Sequence, residues 1–465
     1  MLKITISGHR KLLNESEVRN NIALSLQYFQ TIDKDLQAIS ALAVGADTIF
    51  AEEAKKLKIP VRYVLPFELE EYEKDFSPSE LKVFRDLLAK NQQPYEVVSP
   101  LKDTQPETKN EAYMAVGKRL VDECDILVAV WDGQDAQGLG GTGDVVAYAH
   151  TVGKPVHIVK AVREGSEILQ NEVDAAFETL DKEAIKFKQE RFIPAWGIGI
   201  FISMLAVICF AVSVNFKASL THEEMFILAL LEVIFLGISS VLLLFFARRW
   251  KQKFLVNRRD AEYLRTLNWY KDAQIPIPTI ARPTYKISDN IRAIEQDIKA
   301  SIGQLGDFAN AKRIAWSFAK EQANYHQGTR IEKYKDDLHK TEKALNAIKI
   351  LFIFCIAIKF FVELATLILH WQTDHFLSYL NTALIILPAL FAALEGILFF
   401  SEWERNITIS ESKVKKLENS CHDILNANDE TTLLKETAEL RHILEIENSD
   451  WAKRYEKKIV DFKFF

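Results

Sequence analysis

The chain has 465 residues and a formal net charge of −6, with 58 lysines and arginines against 64 aspartates and glutamates. This balance predicts no broadly basic surface, so a nucleic-acid partner is not expected. The four cysteines form no CxxC pair, which argues against a zinc ribbon or a disulfide framework and favours thiols in a reducing cytosol.

Residues 1–162 alternate short apolar runs with helical stretches, and they begin without the apolar core of a signal peptide. The predicted strands are 2–7, 38–44, 61–65, 126–131 and 155–160. Runs rich in Val, Ile and Leu on a strand–helix–strand pattern predict an α/β fold with a doubly wound, parallel, Rossmann-like sheet. Ligands bind such a sheet beyond the carboxyl ends of its strands, so a cytoplasmic ligand-binding domain is expected here.

Four apolar runs of membrane-spanning length follow, at 192–216, 225–247, 350–370 and 376–400. Each has about 21–25 residues, enough to cross roughly 30 Å of hydrocarbon. Lys and Arg concentrate at residues 248–251, so this end of the second run is expected in the cytoplasm, and both chain termini with it. An all-α membrane region with four transmembrane helices and long cytoplasmic helices is therefore predicted.

The expected segments after the first domain are a coupling helix at 163–191, a first transmembrane hairpin with its cytoplasmic helix at 192–274, a cytoplasmic helical insert at 275–349, a second hairpin at 350–402, and a cytoplasmic helical tail at 403–465. Within the insert, one helix is predicted from Ile287 to the third apolar run. The two hairpins end alike, in LFFA before Trp250 and LFFS before Trp403, which indicates either a duplication or aromatic residues at the membrane interface.

Four clusters at predicted strand ends carry the candidate ligand-binding residues. They are Ser7, Gly8, His9 and Arg10; Gly45, Ala46 and Asp47; Trp131 and Asp132; and Gly140, Gly141, Thr142 and Asp144. Glycines let backbone N–H groups approach a phosphate, and a helix N-terminus adds positive potential. Arg10 could pair with a phosphate, the aspartates could accept ribose hydroxyls, and Trp131 could pack near a base.

Each cluster also has a purely structural interpretation. Asp47 and Asp144 are more simply explained as helix N-caps, His9 as a structural hydrogen-bonding residue and Trp131 as part of the core. The position of all four clusters at one edge of one sheet favours a shared ligand site.

These residues resemble the SLOG family of Rossmann-like domains, which is related to DprA, to the LOG enzymes and to TRPM ligand domains. The matching pieces are ISGHRKL at 6–12, VGADTIFAEEA at 44–54, LPFELEEYEKDF at 65–76, CDILVAVWDG at 124–133 and GGTGDVVAYA at 140–149. The resemblance implies a nucleotide or nucleotide-derived ligand and no required cofactor. The LOG-type pattern PGGxGTxxE is not kept, because Leu139 replaces its proline and its glutamate is missing after Thr142. No catalytic residue is therefore expected.

The later part of the chain resembles the SLATT family of two-helix membrane effectors, through RRWKQKFLVNRRDAEYLRTL at 248–267 and WSFAKEQANYHQGTRIEKY at 316–334. This resemblance implies a homo-oligomeric pore in a bacterial inner membrane, and a nucleotide-synthesising enzyme as an associated partner. The expected function is a nucleotide-signal-gated membrane effector of an antiphage, abortive-infection system. The alternatives are a membrane-tethered nucleotide or NAD hydrolase and a membrane-anchored scaffold.

Charged residues interrupt the apolar runs at Glu232, Lys359, Glu363 and Glu395. A charge at the bilayer centre costs about 2.5–3.5 kcal/mol on insertion scales, so it normally faces other helices or water. One interpretation is an acidic ring in an oligomeric, cation-selective pore. The other is a buried ion pair between Lys359 and a glutamate that sets the helix register.

Overall fold

The protein is described from a computed structural model, which covers residues 1–91, 93–99, 106–136, 138–163, 172–278, 287–369, 374–401 and 403–460. The chain divides into two compact units. The first consists of Met1–Leu169 with Lys312–Ser317, and the second of Gln170–Ala311 with Phe318–Phe465.

The first unit is built on a parallel sheet in the order β4-β3-β2-β1-β5-β6. Its strands are β1 Leu2–Gly8, β2 Leu36–Ser40, β3 Val61–Leu65, β4 Glu96–Val97, β5 Ile126–Trp131 and β6 Val156–Lys160. Its helices are α1 Glu15–Ile32, α2 Ala46–Lys56, α3 Leu69–Tyr72, α4 Pro78–Ala89, α5 Pro106–Glu123 and α6 Thr142–Thr151. The strand order reverses between β1 and β5, as in a doubly wound fold. The predicted α/β parallel sheet is confirmed.

Strand core positions are buried because helices cover both faces of the sheet. Ile4, Ile6, Ile39 and Val128 each expose at most 1% of their surface. The predicted strand at 38–44 was wrong at its end, since β2 stops at Ser40. Leu42 adopts a φ of 54°, and its N–H donates to the Ser40 hydroxyl at 2.9 Å, so the chain turns away there instead of continuing the ladder.

The second unit is helical. Its helices are α7 Glu172–Lys186, α8 Ile193–Asn215, α9 His222–Ser240, α10 Arg248–Asp272, α11 Asp289–Ser301, α12 Phe308–Asn324, α13 Lys333–Leu369, α14 Asp374–Ser401, α15 Trp403–Asn426 and α16 Glu430–Val460. π-Helical segments at Phe187–Phe192, Val241–Ala247 and Tyr325–Glu332 join consecutive helices into longer ones. The middle of α12, Lys312–Ser317, is grouped with the first unit, where Trp316 packs on Tyr28.

The single helix predicted from Ile287 to the third apolar run is wrong. The chain leaves helical geometry after α11, and α12 starts afresh at an N-cap where the Asp307 side chain accepts from the N–H of Asn310 at 2.7 Å. The coupling helix predicted at 163–191 is helical from Glu172, and residues 164–171 of that prediction lie outside the described residues.

Four helices in the described residues are long and apolar enough to cross a membrane, as the four apolar runs predicted. They pack side by side in the order α9, α8, α14, α13. Close contact between α8 and α9 rests on small residues: Ser239 donates to the carbonyl of Gly199 at 2.9 Å. Helices α13 and α14 meet around Cys355, Leu380 and Leu387. The outer faces of these helices expose apolar side chains such as Phe226, Leu244 and Leu367, as expected of surfaces that contact lipid.

Candidate functional site

A cavity of about 340 Å³ lies at the carboxyl ends of β1 and β5, where the strand order reverses. Eight of the predicted ligand-binding residues line it: Ser7, Gly8, His9, Arg10, Asp47, Gly140, Gly141 and Thr142. Its volume falls in the ordinary range of small-molecule sites, and its place is where doubly wound sheets bind ligands. The sheet thus brings together residues more than 130 positions apart in the sequence.

The turns after β1 and β2 cross so closely that they require small residues. A Cβ on Gly8 would lie 2.7 Å from the Cβ of Val130, and one on Gly45 would lie 2.6 Å from the carbonyl oxygen of His9. Gly45 also has a φ of 86°, which side-chain-bearing residues rarely adopt. The N–H of Ala46 donates to the carbonyl of His9 at 3.2 Å, and this hydrogen bond joins the two turns. Gly45 and Ala46 therefore support the cavity floor without lining it.

Asp47 is buried, with 4% of its surface exposed, and it lines the cavity. Burial raises the pKa of this carboxyl to about 7, although backbone N–H groups, Arg10 and the Ser40 hydroxyl act in the opposite direction. The N-cap interpretation of Asp47 is wrong, because Gly45 holds that position and Asp47 lies inside the first turn of α2. A carboxyl that titrates near neutral pH in a cavity is a common feature of functional sites.

The glycine-rich loop leads directly into α6. Gly141 occupies the N-cap, and the first helical hydrogen bond runs from the N–H of Val145 to the carbonyl of Gly141 at 3.2 Å. The preceding N–H groups of this first turn have no acceptor within the helix, as at every helix N-terminus. Three residues at this end, Gly141, Thr142 and Gly143, line the cavity. The arrangement gives a phosphate both N–H donors and a positive dipole end.

Asp144 supports this loop from inside the first turn of α6. Its carboxylate accepts from the N–H of Gly140 at 3.0 Å, so it is not the N-cap residue either. Gly140 has a φ of 84°. The contact holds the left-handed turn that presents Gly140 and Gly141 to the cavity.

His9, Asp132 and Arg163 form a connected group at the rim. His9 Nε2 lies 3.0 Å from a carboxylate oxygen of Asp132, and Arg163 Nε donates to the other oxygen at 2.6 Å. Burial lowers the pKa of His9 more than Asp132 raises it, and Asp132 keeps a lowered pKa despite burial because Arg163 donates to it. In its contact with Asp132, His9 is a structural hydrogen-bonding residue, as one interpretation predicted. Its ring also lines the cavity.

Arg10 is the cation best placed to meet a ligand. Its guanidinium lies 4.9 Å from the centre of the Tyr113 ring and 3.9 Å from a carboxylate oxygen of Asp75, and nearly half of its side chain is exposed. Lys109 and Tyr113 both donate to Asp75, so this acid is already well neutralised. Arg10 therefore keeps part of its hydrogen-bonding capacity towards the cavity.

Sequence reasoning missed several residues that line the cavity, among them Tyr72, Asn110, Tyr113 and Arg163. Tyr72 and Tyr113 come from helices in segments to which no site was assigned, and no spacing rule connects them with β1. The nearest signal was the piece LPFELEEYEKDF, which contains Tyr72 and Asp75.

Trp131 lies outside the lining of this cavity in the described structure. It packs against the buried cluster of Val121, Leu127 and Val145, and its indole N–H donates to the carbonyl of Gln134 at 2.7 Å. The core interpretation of Trp131 is the one the geometry favours.

Three of the four charged residues in the apolar runs lie on the two outer helices of the row, Glu232 on α9 and Lys359 and Glu363 on α13, whereas Glu395 lies on the inner helix α14. Lys359 Nζ is 3.7 Å from a carboxylate oxygen of Glu363, one turn away on the same helix. The pair is not buried within the chain, because 56% of the Glu363 side chain is exposed. The interpretation as a buried ion pair therefore does not describe the single chain.

The sequence matches no protein-family model and no curated protein significantly. Within the described residues, no cluster of histidine, cysteine and carboxylate side chains is suited to hold a metal ion. The functional argument consequently depends on the geometry of the cavity and of the apolar helices.

Proposed function

We propose that this protein is a nucleotide-signal-gated membrane effector. The supporting observation is a cavity with a glycine-rich helix N-terminus and Arg10 at the switch point of a parallel sheet, in the same chain as four membrane-length helices. A cavity of about 340 Å³ suits a nucleotide-sized ligand, and its backbone donors suit phosphate. In keeping with the SLOG resemblance, the ligand is a nucleotide or nucleotide-derived signal that remains intact.

The membrane region would act as a homo-oligomer. Four helices in a row cannot enclose a pore alone, and three of the four charged residues in the apolar runs, Glu232, Lys359 and Glu363, lie on the two flanking helices α9 and α13. An exposed ion pair at membrane depth is costly in lipid, so contact of α13 with another copy or with a water-filled path would relieve that cost. Glu232 and Glu363 would then border the conducting path.

The biological setting follows from the resemblance to SLOG and SLATT proteins. In this proposal the effector sits in the inner membrane of a bacterium with both termini in the cytoplasm. A partner enzyme synthesises the nucleotide signal during phage infection, and ligand binding opens or disrupts the membrane. The ligand can do this only if it binds the open arrangement more tightly than the closed one.

A second candidate is a membrane-tethered nucleotide or NAD hydrolase. Asp47 favours it, because a buried cavity carboxyl with a pKa of about 7 could serve as a general acid or base. Its carboxyl is, however, already held by Ser40 and by backbone N–H groups, and the LOG-type glutamate is missing. A third candidate is a membrane-anchored scaffold. In such a protein the helices only anchor the chain, so ligand binding would cause no flux across the membrane.

The test uses the full-length protein in dye-loaded liposomes, with a panel of cyclic, linear and adenine-containing nucleotides. We expect one nucleotide class to bind without turnover and to raise dye release at least tenfold. Arg10→Gln should weaken binding roughly tenfold or more, since a hydrogen bond to a charged group contributes about 1.5–3 kcal/mol. Arg85→Gln is the matched control, because Arg85 is exposed and pairs with Glu73 on the surface.

Two outcomes would favour an alternative candidate. Turnover of the nucleotide would favour the hydrolase, and binding without flux would favour the scaffold. Glu363→Gln should change flux while leaving nucleotide affinity intact; unchanged flux would remove Glu363 from the conducting path.

A further inference from the structure

The end of the first hairpin that joins α7 and α10 is rich in positive charge. The seven residues before its first apolar run, 185–191, and the seven after its second run, 248–254, contain seven basic residues and one acid, Glu190. These two stretches are called the basic end. The corresponding stretches of the second hairpin, 343–349 and 401–407, contain three basic residues and two acids. The preference of Lys and Arg for the cytoplasmic side sets the orientation of a chain, but it does not require that cations be grouped or left without acids.

Three cations of the basic end are grouped around aromatic rings. The π-helical segment that follows α7 packs against α10. The guanidinium of Arg191 lies 5.2 Å from the centre of the Phe187 ring, and Lys253 Nζ lies 5.3 Å from the same centre. Lys188 Nζ lies 5.7 Å from the centre of the Phe254 ring. The face of an aromatic ring attracts a cation, so the rings offset part of the repulsion between these like charges.

No acid neutralises these three cations within the part of the chain that the structure describes. Lys188, Arg191 and Lys253 are exposed, and none of them forms an ion pair with a described carboxylate. A basic residue further along α10 differs, because Arg258 pairs with Asp181. The three cations without an acid thus lie closer to the apolar runs than the paired arginine does.

Their depth matches the headgroup layer of a bilayer. Arg191 directly precedes the first apolar run, Lys188 lies four residues before it, and Lys253 lies six residues after the second run. These separations correspond to roughly 2–9 Å along the helix axes. The headgroup layer adds about 5–8 Å to each side of the hydrocarbon. Basic side chains at this level keep their charged ends in the polar layer while their methylene groups cover apolar surface.

We infer that the basic end is a binding surface for the headgroup of an anionic phospholipid. The phosphodiester of such a lipid carries a negative charge that the three cations lack in the described structure. A zwitterionic headgroup carries its own cation beside the phosphate and is a poorer match. The acyl chains would lie along exposed apolar side chains next to the basic end, such as Leu244 and Phe245.

The open position of the cations favours a lipid over a soluble anion. Lys188, Arg191 and Lys253 line neither the sheet-edge cavity nor the smaller cavity in the helical unit. A soluble phosphate on such an open surface stays hydrated and screened by salt. A lipid is already held beside the surface by its acyl chains, so its headgroup is present at a high effective concentration.

The test is native mass spectrometry of the full-length chain released from nanodiscs with equal amounts of phosphatidylglycerol and phosphatidylcholine. We expect preferential retention of phosphatidylglycerol. Each basic residue near a membrane surface contributes about a fivefold gain in affinity for anionic lipid, so the double variant Arg191→Gln/Lys253→Gln should retain it roughly tenfold less or weaker still. The double variant Lys343→Gln/Lys349→Gln is the matched control, because it removes two cations at a similar depth from the second hairpin. It should retain the lipid as the parent does.

Two further measurements keep the result decisive. The charge-preserving double variant Arg191→Lys/Lys253→Arg should retain phosphatidylglycerol, which separates charge from the shape of the side chains. All variants should melt at the temperature of the parent in pure phosphatidylcholine, which separates lost binding from lost folding. Equal retention by the parent and Arg191→Gln/Lys253→Gln would overturn the surface. Displacement of the lipid by millimolar glycerol 3-phosphate would assign the cations to a soluble anion and overturn the lipid assignment.

The inference requires that the apolar helices lie in a membrane, but not that a nucleotide gates a pore. A chain that enters nanodiscs and keeps no anionic lipid would contradict this inference alone. A chain that stays soluble without detergent would contradict the proposed membrane effector as well.

Discussion

Two cavities within the described residues are built from different parts of the chain. The sheet-edge cavity is formed largely by backbone: two crossing turns with Gly8 and Gly45, and the glycine-rich start of α6. Its charged residues are mostly neutralised, as Asp132 is by Arg163 and Asp75 by Lys109. A smaller cavity in the helical unit, the helical cavity, is formed instead by side chains of α10, α12, α15, α16 and the π-helical segment Tyr325–Glu332, among them Arg258, Arg330 and Lys413.

This difference determines how each cavity responds to substitution. A backbone-built site depends on φ angles and close approach, so an added methyl group should damage it more than the loss of one charge. A cavity built by side chains should instead change with each side chain on its wall. Substitutions at the sheet-edge cavity test this expectation.

The largest effect is expected from Gly45→Val. A Cβ there meets the carbonyl of His9 at 2.6 Å, and a β-branched residue at a φ of 86° is strained besides. Together these should destabilise the first unit by about 3–5 kcal/mol and abolish nucleotide binding, as followed by thermal melting and calorimetry.

Gly133→Val is the matched control for the strain alone. Gly133 has a φ of 81°, but no atom lies within 4 Å of its added Cβ. This variant should lose about 1–2 kcal/mol of its free energy of unfolding and should still bind the nucleotide. Equal damage from the two substitutions would show that close packing of the turns is unimportant.

The same contrast explains how much could be predicted from the sequence. The carboxyl ends of parallel strands converge at one edge, so local patterns such as Gly8, Gly45 and Gly140 were enough to locate the first cavity. The lining residues that lie on helices, such as Asn110 and Tyr113 on α5, were missed, because their place in the cavity depends on how α5 packs against the sheet. The periodicity of apolar residues gave the membrane helices but not the break before Asp307.

The helical cavity could not be predicted at all. Arg258, Arg330 and Lys413 appear in the sequence as three unrelated charges on amphipathic helices, where a solvent-exposed position is the ordinary expectation. Only the packing of α10, α15 and the π-helical segment brings them to one place. The burial of Lys413 is a tertiary property with no local signature.

The second largest effect concerns Asp47 and its dependence on pH. The folded-state pKa of about 7 lies above the usual carboxyl value of about 3.9, so the folded first unit binds this proton more tightly than the unfolded chain. Its stability should therefore fall as pH rises from about 4 to about 7 and then level off. Asp47→Asn removes this titrating group. Between pH 5 and pH 8, the free energy of unfolding of the wild type should therefore fall by about 2–3 kcal/mol relative to that of the variant.

Thermal melting of both proteins across this pH range measures the difference. Asp135→Asn, which changes an exposed carboxyl on a nearby loop, should follow the wild-type profile. Parallel profiles for wild type and Asp47→Asn would mean that Asp47 stays ionised in the folded protein, and the argument for a neutral acid in the cavity would fail.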